Sequence, residues 1–241
     1  MKVTKKVWCL SFLILILLCG CKSSPDYTEI DIAVEENNQE KAFQLFDELV
    51  VKYPKKASVY HNRAITYARF NEMDLAYENI NKAIDLDGEK DPHAISFFIK
   101  GRICLSLNKV MESVYAFQKS LLLDPSFADA YDGYAICLAL LGNINEAIKQ
   151  WETCISLDNE YYPAFRGLAL AYDQTQKYAK SYQFWNKYLE YEKNDAEAYW
   201  QRGRLLYWYL NDAEQGLIDW NRAVELDLSY ADMTYDKRGI E

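Results

Sequence analysis

The sequence predicts an all-α fold, an α-solenoid built from stacked helix-turn-helix repeats. Bulky aromatic residues recur about every 34 residues, at Phe117, Trp151, Trp185 and Trp220. Small residues recur in the same register, which marks places where two helices approach closely. A period of this length is typical of a two-helix unit that cannot bury its apolar face without neighbours. The small residues form two series, Ala64, Gly101, Ala135, Ala169 and Gly203, and then Ala42, Ala76, Ser113, Ala147, Ser181 and Gly216.

The chain opens with a targeting segment. Three lysines within the first six residues precede an apolar stretch at residues 7–19, a pattern typical of a secretion signal. This stretch is short, because a membrane-spanning helix needs about 20 apolar residues. We therefore expect residues 1–20 to be a signal peptide that is removed, with an uncleaved signal anchor as the alternative.

The end of this segment reads Leu-Cys-Gly-Cys at residues 18–21 and resembles the bacterial lipobox. The resemblance implies that Cys21 carries the lipid and becomes the first residue of the mature chain. Several acyl chains would bind a membrane more firmly than one, because each buried methylene contributes about 0.8 kcal/mol. Residues 21–26 are then expected to form a short lipidated tether ahead of the repeats.

Within the repeats, residues 144–157 show the helical pattern clearly. Apolar residues recur there at steps of three and four, with charged and polar residues between them. This spacing is typical of an amphipathic helix. Asn143, Asp195 and Asp212 precede helical runs in positions typical of N-caps, and no alternating pattern persists long enough to predict a strand.

The repeat resembles the tetratricopeptide repeat, in which aromatic and small residues alternate at fixed offsets. The resemblance covers about residues 27–230 and implies a right-handed solenoid of five full units, preceded by an irregular unit at residues 27–56. Extra residues near Gly88 and between Leu206 and Gly216 fall at turns, where insertions are tolerated. The third unit carries the pattern on Tyr131, Ala135, Gly142, Ala147 and Trp151. The five units begin near Ala57, Ala94, Ala128, Tyr162 and Ala196.

Charge and composition argue against several functional classes. Without residues 1–20 the chain keeps 24 basic against 36 acidic residues, a formal charge of −12, which disfavours nucleic acid as a partner. We find no phosphate loop, no nucleophile elbow and no histidine at metal-ligand spacing, so we expect no enzyme activity, no metal and no cofactor. Cys104, Cys137 and Cys154 lie on apolar faces of predicted helices and are expected to pack in the core.

The resemblance also implies where function lies. In the tetratricopeptide family the first helix of each unit lines a concave face, which usually binds peptides. Arginine and aromatic residues, which are enriched in binding hot spots, dominate the C-terminal end of that face here. Carried over by position, the groove residues are Phe98, Arg102, Asp129, Asp132, Ile136, Arg166, Asp173, Trp200, Arg204, Tyr207 and Trp208.

Packing offers an alternative explanation for the same residues. Tyr207 and Trp208 would then lie under the last helices of the array. Arg102 and Arg166 would pair with Asp132 across the groove. The sequence leaves the two interpretations open.

The expected function is that of a non-catalytic scaffold of the bacterial cell envelope. Its lipid would anchor it to the inner or outer membrane, facing the periplasm or the cell surface, and its groove would bind an envelope protein or peptide. The competing class is a receptor for a small ligand or envelope glycan, which a deep closed pocket would favour over an open channel. The C-terminal cap at residues 231–241 is short, so Trp220, Val224 and Leu226 are expected to be incompletely covered and to support either a homodimer or the docking of a partner there.

Overall fold

The computed structural model describes residues 24–88 and 93–232. Across these two stretches the chain is helical and contains no strand, as predicted. A further helix begins at residue 230. The helices are α1 Thr28–Glu35, α2 Gln39–Lys52, α3 Ala57–Arg69, α4 Met73–Asp87, α5 Ala94–Ser106, α6 Val110–Leu123, α7 Ala128–Leu140, α8 Ile144–Leu157, α9 Tyr162–Gln174, α10 Tyr178–Tyr191, α11 Ala196–Trp208 and α12 Ala213–Leu226.

Consecutive helices pack as hairpins that stack in chain order. The closest packing is within the pairs from α3/α4 to α11/α12, and the second helix of each pair also packs on the first helix of the next. The first helices α3, α5, α7 and α9 contact one another in succession and so share one face of the array. This arrangement confirms the predicted solenoid, and each of the five units begins at the residue expected from the repeat.

The two series of small residues meet where the helices of a pair cross. All members of the second series are buried. In the α5/α6 pair the Ser113 hydroxyl donates a hydrogen bond to the Gly101 carbonyl oxygen at 2.7 Å. In the α11/α12 pair a Cβ atom on Gly203 would lie 2.8 Å from the Gly216 carbonyl oxygen, so only glycine fits. The expectation of close helix approach is therefore confirmed.

The recurring aromatic residues are buried between successive pairs. Phe117 and Trp151 are 0% and 4% exposed. Each occupies space that a glycine of the next pair leaves free, because a Cβ on Gly133 or Gly167 would lie 2.3 Å from the corresponding ring. The glycines at these positions had not been singled out in the sequence.

The turn between the two helices of each hairpin contains a residue with positive φ. The bonds that close these helices run from the Glu72 nitrogen to the Tyr67 oxygen and from the Lys177 nitrogen to the Tyr172 oxygen, both at 2.8 Å. Asparagine and glycine tolerate this left-handed conformation best, which explains why they recur here. In these hairpin turns the residues with positive φ are Asn37, Asn71, Asn108, Gly142, Gln176 and Asn211.

The predicted N-caps are in place, although one of them makes no side-chain bond. The Asp195 carboxylate accepts the Ala198 amide, and Asp212 accepts the Gln215 amide. Asn143 occupies the N-cap position of α8, but its side chain accepts no helix amide. The start of α8 rests instead on backbone bonds such as that from the Ala147 nitrogen to the Asn143 oxygen, at 3.0 Å.

The C-terminal end differs from the expectation that Trp220 is incompletely covered. Trp220 is 2% exposed. Its ring lies 4.9 Å from the ring of Tyr207, and its Nε1 donates to the Trp200 carbonyl oxygen at 3.2 Å. The expectation was wrong for Trp220 because α11 covers the indole within the same chain, so this residue gives no support to a homodimer.

The signal peptide, Cys21 and most of the C-terminal cap lie outside the described residues. Asp26 precedes α1 in the described residues. Its carboxylate accepts hydrogen bonds from the Thr28 amide at 3.0 Å and from the Thr28 hydroxyl at 2.7 Å. Among the helices that the structure describes, none is both long and apolar enough to cross a membrane.

Candidate functional site

The shared face of the first helices carries the candidate groove. Two pockets on this face are lined by residues of successive first helices, one between α3 and α5 and one between α7 and α9. Among the α7 residues that line the pocket between α7 and α9, Asp132, Ile136 and Leu140 follow one another at steps of four. That spacing places them on one helical stripe, apart from the core stripe of the same helix.

The central pocket, between α7 and α9, has a volume of 510 Å³. Its walls are formed by Ile136 and Leu140 of α7 and by Leu170 of α9. Trp151 also lines it, because Gly167 has no side chain to cover the indole. The pocket is therefore apolar, and its volume lies in the range of about 300–1,000 Å³ that is usual for ligand pockets.

Asp132 brings a carboxylate to this apolar pocket. Its Oδ1 accepts the Trp151 Nε1–H at 2.8 Å, and its Oδ2 accepts the Tyr161 hydroxyl at 3.4 Å. Burial raises the pKa of Asp132 above its ordinary value, although both hydrogen bonds act against that rise. Burial and the nearby Asp132 and Asp129 carboxylates raise the pKa of Tyr161 as well, so its hydroxyl stays a donor.

A smaller pocket of 280 Å³ lies between α3 and α5 and includes the predicted residues Phe98 and Arg102. Phe98 is held by Phe127, whose ring centroid is 4.8 Å away. The exposed guanidinium of Arg102 lies over the Phe98 ring at 5.9 Å. Ile65 of α3, which is 41% exposed, adds an apolar wall to this pocket.

The arginines toward the C-terminal end of the groove are engaged in ion pairs between adjacent units. Arg166 Nη2 donates to Glu197 Oε2 at 2.6 Å, and Arg204 pairs with Asp173. The suggested pairing of Arg166 with Asp132 does not occur, because the guanidinium points onward to α11. Both pairs tie α9 to α11 and reduce the positive charge that is free for a ligand.

The predicted aromatic residues of α11 divide between packing and exposure. Trp200 is half-buried, 6.2 Å from the ring of Tyr230. Tyr207 packs on Trp220, as the packing alternative proposed. The rings of Trp208 and Tyr207 pack with their centroids 4.8 Å apart, and Trp208 is 49% exposed.

Several residues of the central pocket had not been predicted from the sequence, among them Leu140, Gly167 and Leu170. A signal was available, since Ile136 and Leu140 are apolar residues one turn apart on the helix face opposite the core. Gly167 gave no such signal. Its role depends on the indole of the preceding unit, which only the folded chain brings beside it.

The three cysteines of the repeats are buried in the core, and His61 is partly buried beside it. Cys104, Cys137 and Cys154 are buried and free of disulfides, as expected for core packing. His61 Nδ1 lies 3.1 Å from the Ser96 hydroxyl, and burial lowers the pKa of its imidazole. No cluster of three or more candidate ligand residues occurs within residues 24–88 and 93–232.

Comparisons with known proteins agree with this geometry. The family model described as "Tetratricopeptide repeat" matches residues 57–90, which include α3 and α4. The mitochondrial import receptor subunit TOM70 of Homo sapiens is 25% identical over 191 residues, 76% of this chain and 31% of that protein. The Hsp70-Hsp90 organizing protein of Triticum aestivum is 29% identical over 110 residues, 44% of this chain and 18% of that protein. The chain thus spans less than a third of the length of these two relatives.

Solved structures show the same fold at low sequence identity. Pseudomonas aeruginosa PilF superposes with a TM-score of 0.76 at 15% identity, covering 87% of this chain and 95% of that one. PilW, described as a type IV pilus biogenesis factor, gives 0.73 at 19% identity over 84% and 92%. YrrB, described as a TPR protein with an unusual peptide-binding site, gives 0.62 at 18% identity over 79% and 97%. Together with the stacked hairpins, these likenesses support the tetratricopeptide repeat as the unit from which this chain is built.

Proposed function

We propose that this protein is a lipid-anchored scaffold of the bacterial envelope that binds a polypeptide segment of a partner protein along its concave groove. The repeat fold suggests a protein-interaction scaffold. The observation that carries the groove is the 510 Å³ apolar pocket on the shared face of the first helices. A second pocket on the same face, between α3 and α5, supports a ligand that extends over several units.

An extended ligand is favoured over a small molecule or a glycan. Sugar recognition in the groove would rely on arginines and exposed tryptophans, yet Arg166 and Arg204 are both in ion pairs. Trp208 is exposed but lies at the end of the array, away from the central pocket. The likeness to YrrB, a protein described as having a peptide-binding site, also supports a peptide ligand.

The anchor rests on the sequence Leu-Cys-Gly-Cys at residues 18–21. A lipid on Cys21 would leave a tether of only a few residues before α1, so the groove would act close to the membrane surface. Confinement of this kind raises the effective concentration of a partner in the same membrane or its periphery, and modest affinity then suffices. The described role of PilW in pilus biogenesis supports an envelope setting.

The groove is tested by site-specific photo-crosslinking of the full chain in a bacterial host. A benzophenone amino acid replaces Ile136 in the pocket or, as a matched control, Lys149 on α8, whose side chain is 65% exposed. We expect a crosslinked partner from position 136 and none of the same mass from position 149. A partner captured equally from both positions, or from 149 alone, would refute the groove.

The anchor is tested separately with a labelled fatty acid. We expect the full chain to incorporate the label and to fractionate with membranes, and the Cys21→Ser variant to lose the label. Equal labelling of both, or no labelling of the natural chain, would refute lipidation at this residue without affecting the groove.

A further inference from the structure

The central pocket has apolar walls that are uncovered in the folded chain. Ile136 and Leu140 are 38% and 63% exposed, and Leu170 faces them from α9. The space persists because Gly167 lacks a side chain and because the Trp151 indole beneath it is held by its bond to Asp132. Such a pocket accepts a bulky apolar side chain of a partner, since burial of apolar surface is favourable.

Among the described residues, the pocket is lined by one arginine, Arg166, whose charge is paired with Glu197, and by a carboxylate that has no ion pair. Asp132 lines the pocket, and Asp129 lies one turn earlier on α7. Within the described chain, neither carboxylate forms an ion pair. Arg166 pairs with Glu197, and the exposed Arg102 lies over Phe98 and acts on Asp132 through its charge without forming an ion pair with it.

The unit that forms this side of the pocket is strongly acidic. Residues 128–161 contain Lys149 as their one basic residue, and it pairs with Glu146 on α8. The same segment contains six carboxylates. A cation from a partner would therefore meet a negative potential around the pocket, while an acidic partner would be repelled.

We propose that the pocket binds a partner segment in which a lysine or arginine adjoins a bulky apolar residue. The apolar side chain enters the space between Ile136, Leu140 and Leu170, and the cation pairs with Asp132 and Asp129. This inference rests on the proposed function, namely that the concave groove binds a polypeptide.

A cationic ligand accounts for the position of Asp132, which stability alone does not. A carboxylate half-buried in an apolar pocket without a cation is costly, because burial disfavours its charged form. The Trp151 bond to Asp132 would be kept by an uncharged asparagine, which also carries an acceptor oxygen. A cation that arrives with the ligand would offset the cost that the free protein bears.

The test measures fluorescence anisotropy of short peptides with the purified full chain in a nonionic detergent. The probe is fluorescein-Gly-Ser-Lys-Leu-Lys-Phe-Ser-Gly-amide. One matched peptide carries glutamate in place of both lysines, and another carries alanine in place of leucine and phenylalanine. We expect the lysine peptide to bind at least tenfold more tightly than either matched peptide.

Two variants with the same change in net charge locate the effect. Asp129→Asn with Asp132→Asn removes the carboxylates beside the pocket, and Glu146→Gln with Glu160→Gln removes two carboxylates of the same unit elsewhere. We expect the first pair to weaken the lysine peptide at least tenfold and the second pair less than twofold. Circular dichroism confirms folding, and the asparagine variant should be no less stable than the natural chain at neutral pH.

The outcomes separate this inference from the proposed function. If the glutamate peptide binds as tightly as the lysine peptide, or if both double variants lose the same affinity for the lysine peptide, the inference is overturned. Binding of a polypeptide in the groove would remain in place. Absence of binding by all three peptides also overturns it. The Ile136 crosslink then decides the proposed function independently, because it requires no assumption about the charge of the ligand.

Discussion

The buried ion pair between α11 and α12 offers the sharpest test of the energetics of this array. Asp219 is 2% exposed and is the one charged side chain in the core of the described residues. Its carboxylate accepts hydrogen bonds from Arg202 Nε at 2.7 Å and from Arg202 Nη2 at 2.8 Å. The remaining guanidinium nitrogen, Arg202 Nη1, donates a hydrogen bond to Asn186 Oδ1 at 2.8 Å. The pair therefore joins three helices of the last two units.

The perturbation is Asp219→Leu, which leaves the Arg202 guanidinium buried with its single bond to Asn186. Removing one partner of a buried pair costs about 3–5 kcal/mol. We expect about 3 kcal/mol, the lower end, because the Arg202 side chain is 17% exposed and keeps one acceptor. In the double variant Arg202→Met, Asp219→Leu both charges are gone, and we expect stability within about 1 kcal/mol of the natural chain.

The assay is urea unfolding of the full chain and the variants, followed by circular dichroism and tryptophan fluorescence. Repeat arrays lose stability unit by unit, so hydrogen exchange should locate the loss in α11 and α12. A single variant that costs less than about 1 kcal/mol, or a double variant as unstable as the sum of its parts, would refute the reasoning. Loss of protection spread evenly from α3 to α12 would refute its local character.

Three further predictions concern the turns, the histidine and the thiols. Gln176 has a φ of 59°, so we expect Gln176→Gly to raise the free energy of unfolding in urea by about 1 kcal/mol. Gly142 has a φ of 80°, so Gly142→Ala should lower it by about as much. A change of the same sign in both variants would contradict this reasoning. Burial lowers the pKa of His61 below its ordinary 6.5, so the unfolded chain takes up the proton first as pH falls. Its contribution to stability is fully present above pH 6.5 and declines below it, and His61→Asn should flatten that part of the stability profile; an unchanged slope would argue against it. Burial raises the thiol pKa of Cys104 to about 11 and of Cys154 to about 12. A thiol reagent at about pH 8 should therefore label these cysteines only after the chain unfolds. Rapid labelling of the folded chain would contradict their burial.

Much of the fold follows from the sequence because the repeat acts locally. An amphipathic helix packs on its neighbour through one face, and the spacing of residues in that helix alone determines which face it is. The small residue Ser113 and the large aromatic residue Phe117 therefore identify the buried face of α6. The helix starts at Ala57, Ala128 and Ala196 follow from the same register. The turn residues with positive φ also recur with the repeat, and the asparagines among them indicate the positions of the turns.

The candidate site was less predictable because it depends on which side chains meet across units. The position of Arg166 on the groove stripe follows from the register. Its partner does not, because Glu197 and Asp132 are both acidic residues on neighbouring first helices. The length and direction of the side chain selected Glu197, at 2.6 Å.

The sequence by itself determined a helical array with its concave stripe, since periods of about 3.6 and about 34 residues set helix faces and unit boundaries through short-range geometry. Only the tertiary structure decided that a pocket of 510 Å³ opens between α7 and α9. That pocket needs Gly167 of one unit beside Trp151 of the preceding one, a contact between residues of different helices. The absence of an ion pair at Asp132 within the described residues was likewise decided by the tertiary structure, because Arg166 pairs with Glu197 instead.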